Sequence, residues 1–230
     1  MRDLALVGFR LRAVLRARVL LAPLVGLVAV QLIGLAGPAG PAAIQVVTAS
    51  SFALPLLGWA ARQVLDDEPD EQVRLSTLAV GGQVRAEVAG LLTAYALVAP
   101  LGLLAAGASL LHVDQAGVPA RDAVAGLALA MATALAAVAI GACAARAVAG
   151  TGGASVVVLV AAPVLVAVVG LSSNGAVTAL VPRLDEAVRA ANAGRFAHAA
   201  PALELQVVLW SSLVLALRHL SPARLVRRRT

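Results

Sequence analysis

The sequence predicts an all-α integral membrane protein, and two features of its composition lead to this prediction. Of its 230 residues, 61% are hydrophobic and only 13% are charged, whereas a soluble domain typically carries roughly 25% charged residues. The hydrophobic residues also occur in long runs, and a helix needs about 20 such residues to cross a bilayer. The length accommodates about six crossings with short connections, so we expect one transmembrane domain over residues 1–230.

The positive charges lie where a membrane protein needs them. The formal charge of +6 comes from arginine, since the sequence has no lysine. The arginines cluster at the chain ends and beside apolar runs, as the positive-inside rule describes for cytoplasmic segments. No basic patch is interleaved with aromatic residues, which argues against nucleic acid as a partner. Cys143 is the one cysteine, so the chain has no internal disulfide.

Six transmembrane helices follow from the apolar runs. A segment rich in glycine and proline at 37–41 ends the first run, and further breaks separate the others. The predicted spans cover residues 19–35, 42–61, 88–111, 123–145, 154–171 and 201–217. The distribution of arginine near the span ends places both termini in the cytoplasm. We therefore expect a multi-pass protein of the plasma membrane.

Two amphipathic helices are expected at the membrane surfaces. Residues 1–18 carry apolar side chains on one helical face and arginines largely on the other, which predicts an interfacial helix facing anionic head groups. These apolar residues are Leu4, Val7, Leu11, Val14 and Leu15. In the outer loop 172–200, apolar residues from Val177 to Ala191 recur at helical spacing and predict a helix between spans 5 and 6 on the outer membrane surface. This helix could cap an exit path or serve only as a linker.

Residues 62–87 form the one long charged interval in the first half of the chain. Acidic residues crowd positions 66–71, and Val73, Leu75 and Leu78 follow at apolar spacing. Two glycines and Arg85 then precede the third span. Such an interval must lie in water, so we predict a cytoplasmic coupling loop that contains a short helix.

Four polar side chains within predicted spans are candidates for a substrate path or for gating. Gln45, Thr48 and Ser51 are three residues apart and share one face of the second span. A polar stripe of this kind commonly packs against another helix, and that alternative stays open here. Glu204 lies near the outer end of the sixth span, where a carboxylate is costly unless it reaches water or a partner.

No catalytic, cofactor or metal site is expected in this chain. The glycine-rich turn at 150–153 lacks the lysine that follows the last glycine of a P-loop, and the chain contains no lysine at all. His112, Asp114 and Asp122 are too loosely spaced for a metal site. No Ser/His or His/Glu pairing lies within the spans, as an intramembrane enzyme would require. We therefore predict that the chain is not itself an enzyme.

The order of these elements resembles the transmembrane subunit of type-2 ABC exporters. In that family the loop after the second span has an acidic residue, a short leucine-bearing helix, a turn and a basic residue that enters the third span. The matching residues here are Glu71, Leu75, Leu78, Gly81, Gly82 and Arg85. An amphipathic helix before the first span and an outer helix before the sixth complete the likeness, which covers the whole chain.

The resemblance implies an ATP-driven transport complex. Two permease subunits, either two copies of this chain or this chain and a related permease, pair around a substrate path. Two ABC ATPase subunits, which bind ATP and Mg, dock below them and grip the short helix between spans 2 and 3. The docking residues implied here are Asp70, Glu71, Val73, Arg74, Leu75 and Leu78.

The expected function is export of a hydrophobic or amphipathic compound, a lipid or a peptide. An ion-coupled secondary transporter is an alternative, but its carboxylates are expected near the membrane midplane. Here Glu87, Asp122 and Glu204 lie at the ends of spans. A membrane scaffold or immunity protein without transport of its own is a further alternative. Apolar packing along a path leaves no short motif, so the sequence names neither the substrate nor the ATPase.

Overall fold

The computed structural model describes residues 2–37, 39–113, 119–170 and 183–219. Of these residues 88% are helical, and no β-strand is present among them. An isolated bridge joins Gly40 to Val113. The predicted all-α class is therefore confirmed.

Ten α-helices, named α1 to α10 in chain order, make up the described part of the chain. They are α1 (Arg2–Arg16), α2 (Leu21–Leu35), α3 (Ala42–Asp66), α4 (Asp70–Val80), α5 (Gln83–Ser109), α6 (Ala120–Ala144), α7 (Arg146–Ala149), α8 (Gly152–Gly170), α9 (Leu184–Asn192) and α10 (Phe196–His219). A 3₁₀ turn at Leu110–His112 follows α5.

Four of these helices, α3, α5, α6 and α10, are long and apolar enough to cross a membrane. A fifth crossing is possible if Ala5–Arg16 and Leu21–Leu35 form one broken span, bent by 75°. Gly152–Val166 within α8 is a shorter apolar segment. The chain thus has the helices of a multi-pass membrane protein. The sequence predicts six spans, and the described residues provide four such helices, or five with the broken span.

The helices extend further into the charged interval than the sequence predicts. α3 continues to Asp66 and α5 begins at Gln83, so only residues 67–82 of the interval 62–87 lie outside these two helices. α4 occupies most of that remainder and forms the short helix expected there. Charged residues end an apolar run in the sequence, but they do not end a helix, because they continue it readily in water.

α3 and α6 form the centre of the bundle, where small residues bring their backbones together. A Cβ atom at Gly141 of α6 would lie only 2.6 Å from the carbonyl oxygen of Gly58 and 2.8 Å from the Cβ of Ala61, both on α3. Interfaces built from Gly and Ala are the usual way for membrane helices to approach closely. α5, α8 and α10 pack around this pair, so the contact positions most of the molecule.

The N-terminal helix faces the bundle differently from its predicted orientation. Val14 is buried as expected, but Leu15 and Phe9 are exposed. Arg10, predicted on the polar outer face, is instead turned inward to pair with Glu68. Arg12 and Arg16 are exposed, whereas Arg10 departs from the predicted face because the periodicity of α1 contains no information about a distant carboxylate. α1 packs on α5 and α4.

The described part of the outer loop packs on the bundle. Val177 and its neighbours up to residue 182 lie outside the described residues, and α9 follows them. α9 is strongly amphipathic, and its apolar face packs on α3 and α10. The residues it buries are Ala187, Ala190 and Ala191. Across its polar face Arg189 pairs with Asp185. The structure therefore places α9 on the helices of the bundle.

We expect Gly141→Ala to destabilise the protein, because the new methyl group has no room against the Gly58 carbonyl oxygen and the two central helices must separate. Overpacking of this kind costs about 1–3 kcal/mol. Gly107→Ala on α5 is the matched control, since an added Cβ there meets nothing within 4 Å. Thermal unfolding of both variants in one detergent tests the prediction. Equal unfolding temperatures for the two variants would contradict it.

Candidate functional site

Charged and polar side chains from several helices meet at one end of the bundle, which we call the charged end. They come from α1, from the turn between α3 and α4, from α4 itself, and from the ends of α5, α7 and α10 that lie beside it. These residues are Arg10, Asp66, Asp67, Glu68, Gln72, Thr77, Gln83, Glu87, Arg146 and Arg218. Both α1 and the C-terminal turn of α10 contribute, so the two ends of the described chain lie on the same side.

Arg10 holds three parts of the charged end together. Its guanidinium forms an ion pair with Glu68, and its Nη1 donates a hydrogen bond to the carbonyl oxygen of Ala86 at 2.8 Å. The hydroxyl of Ser76 on α4 donates to the other oxygen of the Glu68 carboxylate. The side chains of Arg10 and Glu68 are only 13% and 12% exposed, so each charge needs the other. The network ties α4 to α1 and to α5.

Asp66 joins the end of α3 to the start of α7. Its Oδ1 accepts a hydrogen bond from the backbone N–H of Arg146 at 2.9 Å. The Arg146 guanidinium donates in turn to the main-chain carbonyl oxygen of Asp66. One turn earlier on α3, the Nε of Arg62 lies 3.2 Å from Asp66 Oδ2. The corner between α6 and α7 is therefore anchored to the same region as α4.

The short helix α4 has sharply defined ends. Pro69 precedes it in an extended conformation that cannot continue α3. At its C-terminus Gly81 adopts a left-handed conformation with φ +79°, where glycine has no Cβ penalty. The N–H of Gly82 then bonds to the carbonyl oxygen of Thr77 at 3.0 Å, which is a Schellman ending. α4 is thus a rigid unit joined to α5 by a two-residue turn.

The residues expected to dock an ATPase all belong to α4: Asp70, Glu71, Val73, Arg74, Leu75 and Leu78. Val73, Leu75 and Leu78 are 39%, 67% and 78% exposed. Glu71 and Arg74 are exposed beside them. The opposite face of α4 packs on α1 and α5. α4 therefore presents apolar side chains and charges of both signs outward while it is held firmly from behind.

The four polar candidates for a substrate path occupy half-buried positions. Gln45, Thr48 and Ser51 lie on α3, and the Ser51 hydroxyl donates to the carbonyl oxygen of Val47 at 2.8 Å, within its own helix. Glu204 lies on α10. None of the four lines the cavity at the charged end. Their role in a path stays a prediction.

A cavity of about 360 Å³ lies within the charged end. Its size falls in the range of small-molecule sites, roughly 300–1,000 Å³. One part of its wall is apolar and includes Ala13 and Val14 from α1, Val64 and Leu65 from α3 and Val73 from α4. The other part consists of the polar and charged side chains named above. Across the described residues, no three His, Cys, Asp or Glu side chains converge to hold a metal ion.

Asp67 differs from the other carboxylates in the cavity wall. Asp66 and Glu68 are paired with arginines, and Glu87 accepts a hydrogen bond from Gln83 at 2.9 Å. Asp67 forms no ion pair with any residue that the structure describes. Partial burial raises the pKa of the Asp67 carboxyl above its ordinary value of 3.8, because the charged form loses water. Its charge is therefore uncompensated.

Sequence reasoning identified α4 but missed the network behind it. The crowding of acids at 66–71 is a signal that was not used: some of these acids need a cation from elsewhere in the chain. It did not indicate which cation, since Arg10 and Glu68 are 58 residues apart and Asp66 and Arg146 are 80 apart. Only the packing of α1 on α5 and α4, and the contact of the corner between α6 and α7 with the end of α3, selects these partners.

Comparisons of the chain with protein families, with curated proteins and with solved structures found no match. The grounds for a function are therefore the arrangement of the helices and the chemistry of the charged end. The exposed face of α4 and the cavity behind it are the two features that bear on function.

We expect Arg10→Ala to destabilise the protein by about 2–3 kcal/mol, because it leaves the largely buried Glu68 carboxylate without its counter-ion. Arg183→Ala is the control, since the Arg183 and Glu186 side chains are 35% and 40% exposed and such surface pairs contribute about 1 kcal/mol or less. Thermal unfolding of the two variants gives the comparison. A loss for Arg10→Ala no larger than that for Arg183→Ala would show that the buried network is not a structural anchor.

We expect Asp67→Asn to stabilise the protein slightly at neutral pH. The raised pKa means that the folded state holds the proton more tightly than the unfolded state, so the charged carboxylate destabilises the fold above its folded pKa. This effect is lost as the pH falls through the folded pKa toward 3.8. The gain at pH 7 should stay below about 1 kcal/mol, because solvent screens a partly exposed group. Unfolding temperatures across this pH range test the sign; a variant less stable at pH 7 would refute it.

Proposed function

We propose that this chain is the membrane-spanning subunit of an ATP-driven exporter and that a separate ATPase docks on α4. In this proposal the chain crosses the plasma membrane six times, through α2, α3, α5, α6, α8 and α10. The charged end faces the cytoplasm together with both termini, in keeping with the positive-inside rule. A second copy of the chain, or a related permease, completes the path for a hydrophobic or amphipathic compound, a lipid or a peptide.

The observation that carries this proposal is the exposed apolar face of α4. In this helix of 11 residues, Leu75 is 67% exposed and Leu78 is 78% exposed. Neither side chain therefore contributes much hydrophobic stabilisation to the chain alone. In this proposal α4 lies with the charged end on the cytoplasmic side, outside the hydrocarbon, so lipid does not cover these side chains. A protein partner would bury them, with Glu71 and Arg74 at the rim of the contact, as interfaces commonly do.

The fixation of α4 supports a role in transmitting force. A docking element that moved freely would absorb the motion of its partner, but α4 is tied to α1 through Ser76, Glu68 and Arg10 and to α5 through a two-residue turn. Closure of two ATPases would shift α4 as a unit and tilt α5 and α1 with it. This is a rigid-body transition of the kind known for domain closure.

The chemistry of ATP belongs to the partner in this proposal. The chain has no lysine and hence no P-loop of its own, so ATP and Mg would be bound by two copies of the ATPase subunit. An ion-coupled secondary transporter and a membrane scaffold or immunity protein are the alternatives. Neither of them requires a partner on α4, and the experiment below separates them from the exporter.

We expect Leu78→Asp to abolish the association with the ATPase while the protein remains folded in the membrane, because a carboxylate in the apolar centre of the contact would be buried without a counter-ion. The test is affinity purification of the chain from its native host in mild detergent, with the partners identified by mass spectrometry. A stoichiometric P-loop ATPase should accompany the wild type and should be reduced at least about tenfold with Leu78→Asp.

Leu111→Asp is the matched control. Leu111 is 87% exposed and follows α5, whose other end carries the turn to α4, so it lies away from the charged end. This variant should retain the ATPase. A wild-type protein that is recovered without any ATPase, or an ATPase that is retained equally by Leu78→Asp, would contradict the proposed docking site. Recovery of the chain alone would favour the secondary transporter or the scaffold.

A further inference from the structure

We infer that the cavity at the charged end binds an organic cation, with Asp67 as its counter-charge and the apolar wall beside it covering the rest of the ligand. This inference assigns a ligand class to a site within one copy of the chain. It does not rest on the proposed ATPase partner, because the binding is measured on the purified chain alone.

The charged groups around the cavity bear on the sign of its ligand. The wall contains four carboxylates, on Asp66, Asp67, Glu68 and Glu87, and three arginines, Arg10, Arg146 and Arg218. Arg62 pairs with Asp66 from outside the wall, so arginines and carboxylates are equal in number in this region. The sign of the ligand therefore depends on which charged group lacks a counter-charge of its own.

The arginines in the cavity wall already have partners. Arg10 is bound to Glu68 and to a backbone carbonyl oxygen. Arg146 is bound to both the side chain and the main chain of Asp66. Arg218 is buried and has an interaction of its own. An anionic ligand would compete with these contacts, and displacement of Arg10 would leave the largely buried Glu68 carboxylate without its partner, which is costly.

One carboxylate of the cavity wall, that of Asp67, remains available to a ligand. Asp67 forms no ion pair among the described residues, although it is partly buried at the edge of a cavity that holds three arginines. Partial burial without compensation destabilises a charged group, and an ammonium group placed against it would relieve that cost. The same loss of water raises the pKa of the Asp67 carboxyl.

The apolar part of the cavity wall favours an organic cation over a metal ion. Val64 and Leu65 lie within three residues of Asp67 on the same helix end, and Ala13 and Val14 of α1 line the same cavity. A metal ion needs several oxygen or nitrogen ligands close together, and the other carboxylates here are occupied. A ligand with a hydrocarbon body and one ammonium group fits both parts of the wall.

The test uses three probes of equal size that differ in charge: 3-phenylpropylammonium, 3-phenylpropanol and 3-phenylpropionate. Isothermal titration calorimetry of the full chain in a nonionic detergent, with empty micelles subtracted, gives their affinities. We expect the ammonium probe to bind about fivefold more tightly than the alcohol, as one partly solvated charge pair provides. The carboxylate probe should bind most weakly.

Three variants make the assignment to Asp67 specific. Asp67→Asn should lower the affinity for the ammonium probe about fivefold and leave the affinity for the alcohol unchanged. Asp67→Glu, which keeps the charge, should retain most of the binding. Asp122→Asn, on the first turn of α6 and outside the cavity wall, should bind all three probes as the wild type does.

The inference is overturned if the wild type binds the ammonium probe no better than the alcohol, or if Asp67→Asn weakens the alcohol as much as the ammonium. The first result would mean that charge does not decide the binding, and the second that the substitution has only disturbed the shape of the cavity. Failure of either kind leaves the association with an ATPase untouched, so the two experiments are judged separately.

Discussion

The close approach of α3 and α6 is the contact on which the rest of the structure depends. Gly58 and Gly141 allow the two backbones to meet with no side chain between them, and α5, α8 and α10 are arranged around the pair. In a membrane the hydrophobic effect does not drive helices together, because lipid tails are as apolar as leucine. The fit of small residues, with the dispersion contacts that it permits, must supply the association instead.

The charged end adds a second kind of constraint. Its buried ion pairs contribute little net stability, because removing two charges from water costs about as much as their attraction returns. They do favour one arrangement strongly, since any packing that separates Arg10 from Glu68 leaves two largely buried charges uncompensated. In this way α1, α4 and the corner at α7 are held in one relation to the central helices.

Two features of the charged end are not satisfied within the chain itself. α4 leaves Leu75 and Leu78 exposed, and Asp67 holds a partly buried charge with no counter-ion among the described residues. Stability alone would favour polar residues in the first case and an amide in the second. Both features lie at the same end of the bundle, one on its outer surface and one in the cavity behind it. A protein partner would bury the two leucines, and a small cationic ligand would neutralise the charge of Asp67.

The sequence by itself determined the helical class, the approximate positions of the helices and the short amphipathic helix α4. These follow from hydrophobic runs and local periodicity, which act between residues near one another in the chain. The tertiary structure alone decided that Arg10 turns inward to Glu68, that Arg146 is bound to Asp66 and that Asp67 has no counter-ion among the described residues. Ion pairing and burial join residues tens of positions apart, and no local pattern of residues specifies which of many possible partners the packing of the helices brings within reach.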